Sequence, residues 1–386
     1  MGYVAVKAGE EVIRRAEELF EKRRIEAGTA DVDPDQIGGQ LGRLTAQVMG
    51  EAGLFAPRLA ALAVKQAQGD AAEATFLLRA YRSTLERWGS AVPVEPAEMF
   101  ATRRVSPAFK DVPGGQILGA TKDYTQRLLD FDLAEDDEPV DPTADWDVDE
   151  EEPRALRNVM DLLREEGLIG GPDATDGESN ATDGERNAAD DGASAAEPFD
   201  STREPVLFPA PRSAVLQELA RGETGAVTAL GYSALRGYGR VHPTLAEVRT
   251  GELPVRIEHP YTGDPVEVAS VEVTECEGVV PAYETRDEPR FAFGYGLVFG
   301  RNERKAIGMT MLDASIQLGG DEPAEDAEFV LDVIDGVDSF GFVEHLKLPH
   351  YVTFGSILDR IRSIRERKRE RGADAGGAPA EASADD

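Results

Sequence analysis

The sequence is poor in the side chains that build disulfides and membrane spans. Cys276 is the single cysteine among 386 residues, which excludes an intrachain disulfide and fits a reducing cytoplasm. No apolar run approaches the ~20 residues that cross a bilayer. Near the N-terminus, Lys7, Glu10 and Glu11 interrupt the apolar stretch that a signal peptide would need. We therefore expect a cytoplasmic protein that is long enough for one large or two moderate cores.

Lysine is scarce as well, and cations are outnumbered. Eight of the 41 basic residues are lysine, against 74 acidic residues and a net charge of −33. Such a chain should repel nucleic acid and anionic membranes at long range. Excess carboxylate with little lysine favours a halophilic protein adapted to high salt, and the alternative is a merely acidic mesophilic protein. We favour the high-salt interpretation because the excess is spread over both ordered halves as well as the linker.

The pattern along the chain predicts an α+β fold in four segments. Residues 1–133 form a helical N-terminal domain, and residues 134–203 form an acidic, partly disordered linker. The linker contains the repeat ATDGESN-ATDGERN, which has no apolar side chain larger than alanine, and one short amphipathic helix in ALRNVMDLLREEGLI. Residues 204–362 form a mixed α/β domain, in which PVRIEH and VEVTEC alternate as strands. Residues 363–386 end a basic helix at Gly372 and continue as a disordered acidic tail.

Two glycine-rich stretches with neighbouring cations are candidate anion sites. They are RGYGR at residues 236–240 and FGYGLVFGRNERK at residues 293–305. In the second, a strand-to-helix turn capped by Asn302 would present backbone N–H groups and the helix dipole to an anion. The alternative is that the glycines let a strand pack closely, while the cations pair on the helix surface.

Two further features have a functional and a structural interpretation. The loop DVPGGQILG could be an active-site loop, or simply contain a type II turn at Pro113-Gly114. Arg79 and Arg82 belong to a helix that Asp70 should cap. We predict that both arginines lie on a solvated face of that helix.

Histidine is rare, and two of the four histidines lie five residues apart in EHLKLPHYVTFGS. Pro349 places a bend between His345 and His350, so that both imidazoles could converge on one ion. A tetrahedral zinc needs three or four ligands. Other candidate ligands stand at no recognised spacing, namely Cys276, His242, His259 and many carboxylates. The pair is therefore either half of a metal site completed by a distant residue or another protein, or a loop pair without a ligand.

Seven blocks of sequence, taken in order, resemble the PhnI family. They are VAVKAGEE, LAVKQAQGDAAEATFLLRAYRSTL, KDVPGGQILG with KDYTQRLLDF, RGYGRVHP, TECE, FGYGLVFGRNERKA and FVEHLKLPHYVTF. They extend from Val4 to Phe131 and from Pro205 to Phe354, so the acidic repeat and the tail look like additions to the family pattern. The resemblance implies a subunit of α-D-ribose 1-methylphosphonate 5-triphosphate synthase, in the bacterial carbon–phosphorus lyase system.

The resemblance also implies a reaction and partners. A phosphonate would displace adenine from ATP with the help of PhnG, PhnH and PhnL, and the chain alone would act as a purine nucleosidase. The resemblance further implies that two copies of the chain form a homodimer within a core complex. This complex also holds PhnG, PhnH and the radical lyase PhnJ. There the HLKLPH pair, His345 and His350, resembles a zinc site at the boundary with PhnJ.

Substitution at the ribose anomeric carbon passes through an oxocarbenium-like state that a carboxylate stabilises. We predict that Glu275 and Glu277 are the catalytic carboxylates, because they flank Cys276 on a strand and point to the same side. The alternative is a surface-facing pair. The predicted ligands of the triphosphate and the phosphonate are Arg236, Arg240, Arg301, Arg304 and Lys305. The alternative function is a non-catalytic scaffold and metal-interface subunit of the lyase core complex.

Overall fold

The structure is a computed structural model that describes residues 9–131, 133, 156–169, 199–238, 243–282 and 289–375. The chain forms two compact units, a larger one of Phe20–Ser339 and a smaller one of Met1–Leu19 together with Phe340–Asp386. The acidic repeat, Arg240, His242 and the end of the tail lie outside the described residues. The segment boundaries expected from the sequence stay a prediction.

Twelve α-helices lie in the described part of the chain. The larger unit contains α2 (Pro34–Gln40), α3 (Gly42–Ala52), α4 (Pro57–Gln66), α5 (Ala71–Arg82), α6 (Met160–Glu165), α7 (Arg212–Arg221), α8 (Thr224–Ser233), α9 (Glu303–Leu318) and α10 (Ala327–Ile334). Two helices cross from one unit to the other, α1 (Glu10–Ile25) and α11 (Gly336–His345), and α12 (Tyr351–Ala375) belongs to the smaller unit. None of these helices is both long and apolar enough to cross a membrane.

Short polar side chains start several of these helices, as the sequence predicts. The Asp33 carboxylate accepts a hydrogen bond from the Asp35 N–H at 2.8 Å, and the Gln36 side chain accepts one from the Asp33 N–H at 3.1 Å. Asp70 caps α5 by accepting from the first-turn N–H groups at 2.9 and 3.0 Å. These caps satisfy backbone donors that have no partner inside the helix. They therefore fix where α2 and α5 begin.

Four antiparallel strands form one sheet in the order β1 (Phe100–Val105), β2 (Thr244–Glu258), β3 (Pro265–Ala282) and β4 (Arg290–Phe299). The strands expected from PVRIEH, VEVTEC and the glycine-rich stretch are present as β2, β3 and β4. Strand β1 comes from the first 133 residues and pairs with β2, with Arg104 opposite Arg249. The mixture of helices with one antiparallel sheet confirms the α+β class.

Helix α9 packs on one face of the sheet, against the glycines of β4. A Cβ atom at Gly294 would collide with the carbonyl oxygen of Thr310, and one at Gly296 would collide with that of Ala306. Cys276 of β3 faces the same helix and is fully buried. These glycines therefore bring strand and helix into close contact. For this part of the glycine-rich stretch, the structure agrees with close packing, the alternative to anion binding.

The amphipathic stretch at residues 156–169 docks on the opposite face of the sheet. It forms the short helix α6, and Val159 and Met160 are completely buried. Met160 packs with Ile169 and with Val279 of β3. The nearby turn at Pro113-Gly114 is of type II, since Gly114 has a φ of 81° and the Gly115 N–H donates to the Val112 oxygen at 2.9 Å.

The smaller unit carries the predicted basic helix. Helix α12 begins at Tyr351, directly after His350, and continues to Ala375 rather than ending at Gly372. Exposed apolar side chains are frequent on its first turns and on the end of α11: Phe342, Val343, Leu346, Tyr351, Val352 and Phe354 are each more than 60% exposed. An apolar surface of this kind is typical of a protein that binds a partner.

Candidate functional site

A buried band of charged side chains crosses the sheet on the face opposite α9. Arg104, Arg249 and Glu275 are neighbours on β1, β2 and β3. The next row is formed by Glu247, Glu277 and Tyr295 on β2, β3 and β4. We refer to these six residues as the polar band. It lies between two apolar clusters, which include Val273 on one side and Val279 on the other.

Glu275 and Glu277 point to the same side of β3, as predicted, but they do not face the solvent. Their exposed fractions are 1% and 4%. The alternative of a surface-facing pair is therefore wrong. When two buried carboxylates lie this close together, a state in which both are ionised is unfavourable.

Glu275 is held by a cation and a hydroxyl. Arg249 donates from Nε to the Glu275 carboxylate at 2.9 Å and also from Nη2. The Tyr295 hydroxyl donates to the other oxygen at 3.0 Å. Hydrogen bonds from a guanidinium and a hydroxyl group thus fix the position of this carboxylate.

Glu277 is in a different state. Burial, and secondly the negative charge of Glu275, raise the pKa of Glu277 to about 8. Its nearest cation is Arg164, whose Nη2 lies 3.8 Å from Oε1, and Oε2 has no hydrogen-bond partner within the described residues. Glu277 therefore keeps its proton at neutral pH. The two carboxylates therefore have different surroundings, as in sites where one acts as an acid and the other as an anion.

The segment that contains α6 covers the polar band. Arg104 pairs with Glu247 and donates from Nη2 to the Arg157 oxygen at 2.7 Å. The Val159 N–H donates to the second oxygen of Glu247 at 2.9 Å. Arg164, on α6 itself, is the cation nearest to Glu277. Residues 156–169 thus contribute polar contacts to the band as well as apolar cover.

The predicted substrate cations have different environments. Arg236 is exposed and lies over the Tyr232 ring, with its guanidinium carbon 5.6 Å from the centroid. Arg301 donates to the Ala120 oxygen, and Arg304 is exposed. Lys305 is completely buried. The three cations after Gly300 therefore do not form one clamp around a glycine-rich turn, and Arg240 lies outside the described residues.

Lys305 lies among charged groups from distant parts of the sequence. Burial lowers the pKa of Lys305 to about 8, Glu51 and Glu223 act in the opposite direction, and Arg79 and Arg221 reinforce the lowering. The Nζ atom has no hydrogen-bond partner among the described residues. Arg79 is not on a solvated helix face, because its side chain is only 18% exposed and Nη2 donates to the Glu51 oxygen at 2.9 Å.

The solvated-face prediction is also wrong for Arg82. This side chain is partly buried, and Nη1 donates to the Gly53 oxygen at 3.3 Å. Sequence reasoning missed Arg221 altogether. The available signal was the position of these arginines in the last turns of α5 and α7, which is equally typical of cations that complement a helix dipole.

In the smaller unit, the two histidine rings face each other across the Pro349 bend with centroids 5.1 Å apart. The Nδ1 atom of His350 lies 2.7 Å from the Leu348 oxygen, and that of His345 contacts the Phe342 oxygen. A carbonyl partner keeps the proton on Nδ1 and leaves the Nε2 lone pair for a metal. No group of three or more potential ligands exists in the described part of the chain, so the pair supplies two ligands at most.

Comparisons with known proteins give a consistent result. A family model described as bacterial phosphonate metabolism protein (PhnI) matches residues 2–368. The chain is 46% identical over 383 residues to α-D-ribose 1-methylphosphonate 5-triphosphate synthase subunit PhnI of Rhizobium meliloti (strain 1021), covering 97% of each chain. It is 42% identical over 372 residues to the protein of the same name from Escherichia coli (strain K12), covering 94% of this chain and 98% of the relative.

A third relative is the putative C-P lyase subunit protein HtxH of Stutzerimonas stutzeri, which is 45% identical over 385 residues, covering 95% of this chain and 97% of the relative. Identity at this level over nearly the whole length is sufficient to establish the family and confirms the resemblance described above. The chain belongs to the PhnI family of bacterial phosphonate metabolism proteins.

Proposed function

We propose that this chain is the PhnI subunit of α-D-ribose 1-methylphosphonate 5-triphosphate synthase in a carbon–phosphorus lyase system. Two of the relatives carry this name, and their coverage supports the same role. In the reaction, a phosphonate oxygen forms a bond to C1′ of the ribose of ATP, the C1′–N9 bond breaks, and adenine leaves with a proton. With water in place of the phosphonate, the same chemistry gives the purine nucleosidase activity that we propose for the chain without partners.

The observation that carries the proposal is the pair of buried carboxylates with different partners. Arg249 and Tyr295 both donate to Glu275, and a carboxylate placed in this way suits an oxocarbenium-like centre. Glu277 retains a proton at neutral pH and is the group that would protonate the departing base. The polar band supplies both functions on one strand.

Access to these carboxylates depends on the segment 156–169. Val159 and Met160 are completely buried against the sheet, so a nucleotide reaches the polar band only when this segment moves aside. The cover consists of one short helix and a few hydrogen bonds, which favours local opening. Closure of the segment over bound substrate would exclude water from the reaction.

The test is release of adenine from ATP by the purified chain, measured for wild type and for Glu277→Gln. The amide keeps the shape of the protonated acid but cannot deliver its proton, so the rate should fall about 10²–10⁴-fold. Glu267→Gln, at an exposed position of the same strand, is the matched control and should release base at the wild-type rate. An unchanged rate in Glu277→Gln would remove the acid role.

A second candidate function is that of a scaffold and metal-interface subunit. It is favoured by the exposed apolar surface on α11 and α12 and by a histidine pair that offers only two ligands. In this case the purified chain would release no base from ATP, although it would assemble with its partners. The proposed partners are PhnG, PhnH, PhnL and PhnJ, with a homodimer of this chain in the complex.

We further propose that His345 and His350 share one zinc ion, with the remaining ligands from a PhnJ-type partner. Imidazole nitrogen is a preferred zinc ligand, and the backbone partners found among the described residues contact Nδ1 rather than Nε2. A bound zinc ion would act there as a Lewis acid or as a structural link.

The reducing cytoplasm, where ATP is available, is the proposed compartment of the protein.

Metal content of the assembled complex, measured by mass spectrometry, tests the histidine pair. His345→Ala should remove the metal from the complex while leaving base release by the isolated chain largely intact. His259→Ala is the control, because it removes a half-buried histidine from the β2–β3 turn, in the larger unit. Equal metal in the wild-type and His345→Ala complexes would exclude His345 as a ligand.

A further inference from the structure

We propose that Arg79, Arg82, Arg221 and Lys305 form a binding site for the phosphate chain of a nucleotide, with Lys305 at its buried end. We call these four residues the cationic cluster. The inference rests on the proposed function for the identity of the nucleotide, but the class of ligand follows from the cluster itself. The site lies at the meeting point of α3, α5, α7 and α9 in the larger unit.

The cations converge although they come from three separate helices, α5, α7 and α9. Beside Gly53, the position that a Cβ atom would occupy is in contact with Arg82 Nη1 and lies 3.6 Å from both Cδ and Nε of Arg221. One turn earlier, the corresponding position at Gly50 lies 3.7 Å from Lys305 Nζ. Gly53, with a φ of 65°, thus leaves room for the Arg82 guanidinium, whereas Lys305 approaches Gly50 at an ordinary contact distance.

The guanidinium groups are close enough to repel one another. Burial, and after it the positive charges of Arg221 and Arg79, lower the pKa of Arg82. Like charges gathered in a partly buried place are unfavourable unless an anion joins them. The cluster therefore needs negative groups close by, either carboxylates of the protein or a bound anion.

Three donors of the cluster are buried and have no acceptor within the described residues: Arg79 Nε, Arg221 Nε and Lys305 Nζ. Buried donors without partners are rare in native proteins, and each needs an explanation. Three of them in one cluster indicate that a single acceptor with several oxygens is the missing partner. Lys305 is completely buried, so its ammonium group cannot turn to solvent instead.

The neighbouring carboxylates do not fill this role, because none of them accepts from the three free donors. Asp335 accepts from Arg79 Nη1 at 3.1 Å, and Glu218 accepts from Arg221 Nη1 at 3.1 Å. Glu51 accepts from the Thr224 N–H at 2.9 Å, and Glu223 accepts from the Gly225 N–H at 2.8 Å. These four carboxylates balance the charge of the cluster but leave its three donors free. The free donors, rather than an excess of charge, mark the site.

The donor types identify the class of ligand. Planar guanidinium groups bind the oxygens of phosphate with paired hydrogen bonds, whereas an ammonium group acts as a compact charge at the base of the site. The side chains of Arg79 and Arg221 are each 18% exposed, so the arginines connect Lys305 to the surface. A chain of linked phosphates, with many oxygens, satisfies such a set of donors better than one carboxylate does.

The test is binding of inorganic tripolyphosphate to the full chain by calorimetry, for wild type, Lys305→Met and Arg82→Gln. We expect each variant to bind about 10–100-fold more weakly, the effect of losing one charge-assisted contact. Lys305→Met should also raise the thermal midpoint or leave it unchanged, since it removes an unpartnered buried charge. Arg58→Gln is the control, because this cation of the same unit is 91% exposed, and it should bind as wild type does.

Undetectable binding by wild type, or equal binding by wild type and both cluster variants, would overturn the site. A fall in the thermal midpoint of Lys305→Met without loss of binding would show that the lysine is structural and would overturn the site as well.

Base release from ATP is measured in parallel. If tripolyphosphate binding depends on the cluster but wild type releases no base, the anion site stands and the proposed transferase function fails. If base is released with an unchanged KM in both variants, the proposed function stands and the site fails.

Discussion

Glu277 is the residue that links the stability of this fold to pH. Its pKa is raised from an ordinary value of 4.5 to about 8. Between these values the folded chain holds a proton that the unfolded chain has released. The free energy of unfolding therefore falls as pH rises from about 4.5, and the contribution is lost once pH passes about 8.

We expect Glu277→Gln to remove this dependence, because the amide fills the same space without a titrating proton. Denaturant unfolding in a constant salt concentration, at several pH values between about 5 and about 8.5, is the measurement. The variant should gain stability relative to wild type as pH rises. Glu267→Gln, at an exposed position of the same strand, should follow wild type. A difference between wild type and Glu277→Gln that stays constant over this range would contradict the raised pKa.

The ion pair of Arg249 and Glu275 should be costly to break at one end. Both side chains are about 1% exposed, so Arg249→Met would leave a buried carboxylate without its cation. The expected loss in the free energy of unfolding is about 3–5 kcal/mol. Arg256→Met on the same strand breaks the half-exposed pair with Glu98 and should cost about 1 kcal/mol or less. Similar small losses in both variants would mean that the buried pair contributes no more than a surface pair.

At the scale of elements, the contact between β4 and α9 determines the position of the sheet. Gly296→Ala places a methyl group against the carbonyl oxygen of Ala306, and neither the strand nor the helix can give way locally. The free energy of unfolding should fall by at least about 1–3 kcal/mol. Gly39→Ala, in α2 with open space around it, is the control and should be neutral or stabilising. A loss no larger than that of the control would show that helix and strand are not in close contact.

Local signals predicted the elements, and long-range contacts decided the sites. Asp33, Asp70 and Asn302 mark helix starts because a cap acts on backbone groups only two or three residues away. Alternation likewise located β2 and β3, and it showed that Glu275 and Glu277 share a face. It could not show which face is covered, because the apolar pattern of the short helix predicts that it docks but not where Val159 and Met160 dock.

The cations were misjudged for the same reason. Arg79 and Arg82 have the spacing of a solvated helix face, and only the positions of Lys305 and Arg221 in space make them part of a cluster. Helical spacing describes the neighbours within one helix and carries no information about what packs on it. The choice between anion binding and close packing for the glycine-rich stretch was open in sequence, because glycine serves both.

At the scale of the whole molecule, net charge is the dominant feature. The chain carries −33, with 74 acidic against 41 basic residues. In dilute buffer these charges repel one another, and the repulsion acts against the compact state. The Debye length falls from about 10 Å at 0.1 M salt to about 3 Å at 1 M, so added salt weakens the repulsion strongly over this range. Buried pairs such as Arg249–Glu275 are screened much less and should persist.

We therefore propose that the protein is adapted to high salt, and we expect its thermal midpoint to rise steeply between about 0.1 M and about 1 M KCl and more slowly beyond. The reason is that most of the long-range repulsion is already screened once the Debye length is shorter than the spacing of surface charges. Calorimetric scans in KCl are the measurement, and scans in sucrose of equal osmolality are the control. Sucrose favours the folded state by exclusion from the surface but screens no charge, so it should not reproduce the steep initial rise. A midpoint that is flat or falls between 0.1 M and 1 M KCl, or that rises equally in sucrose, would show that the acidic surface does not destabilise the fold at low salt.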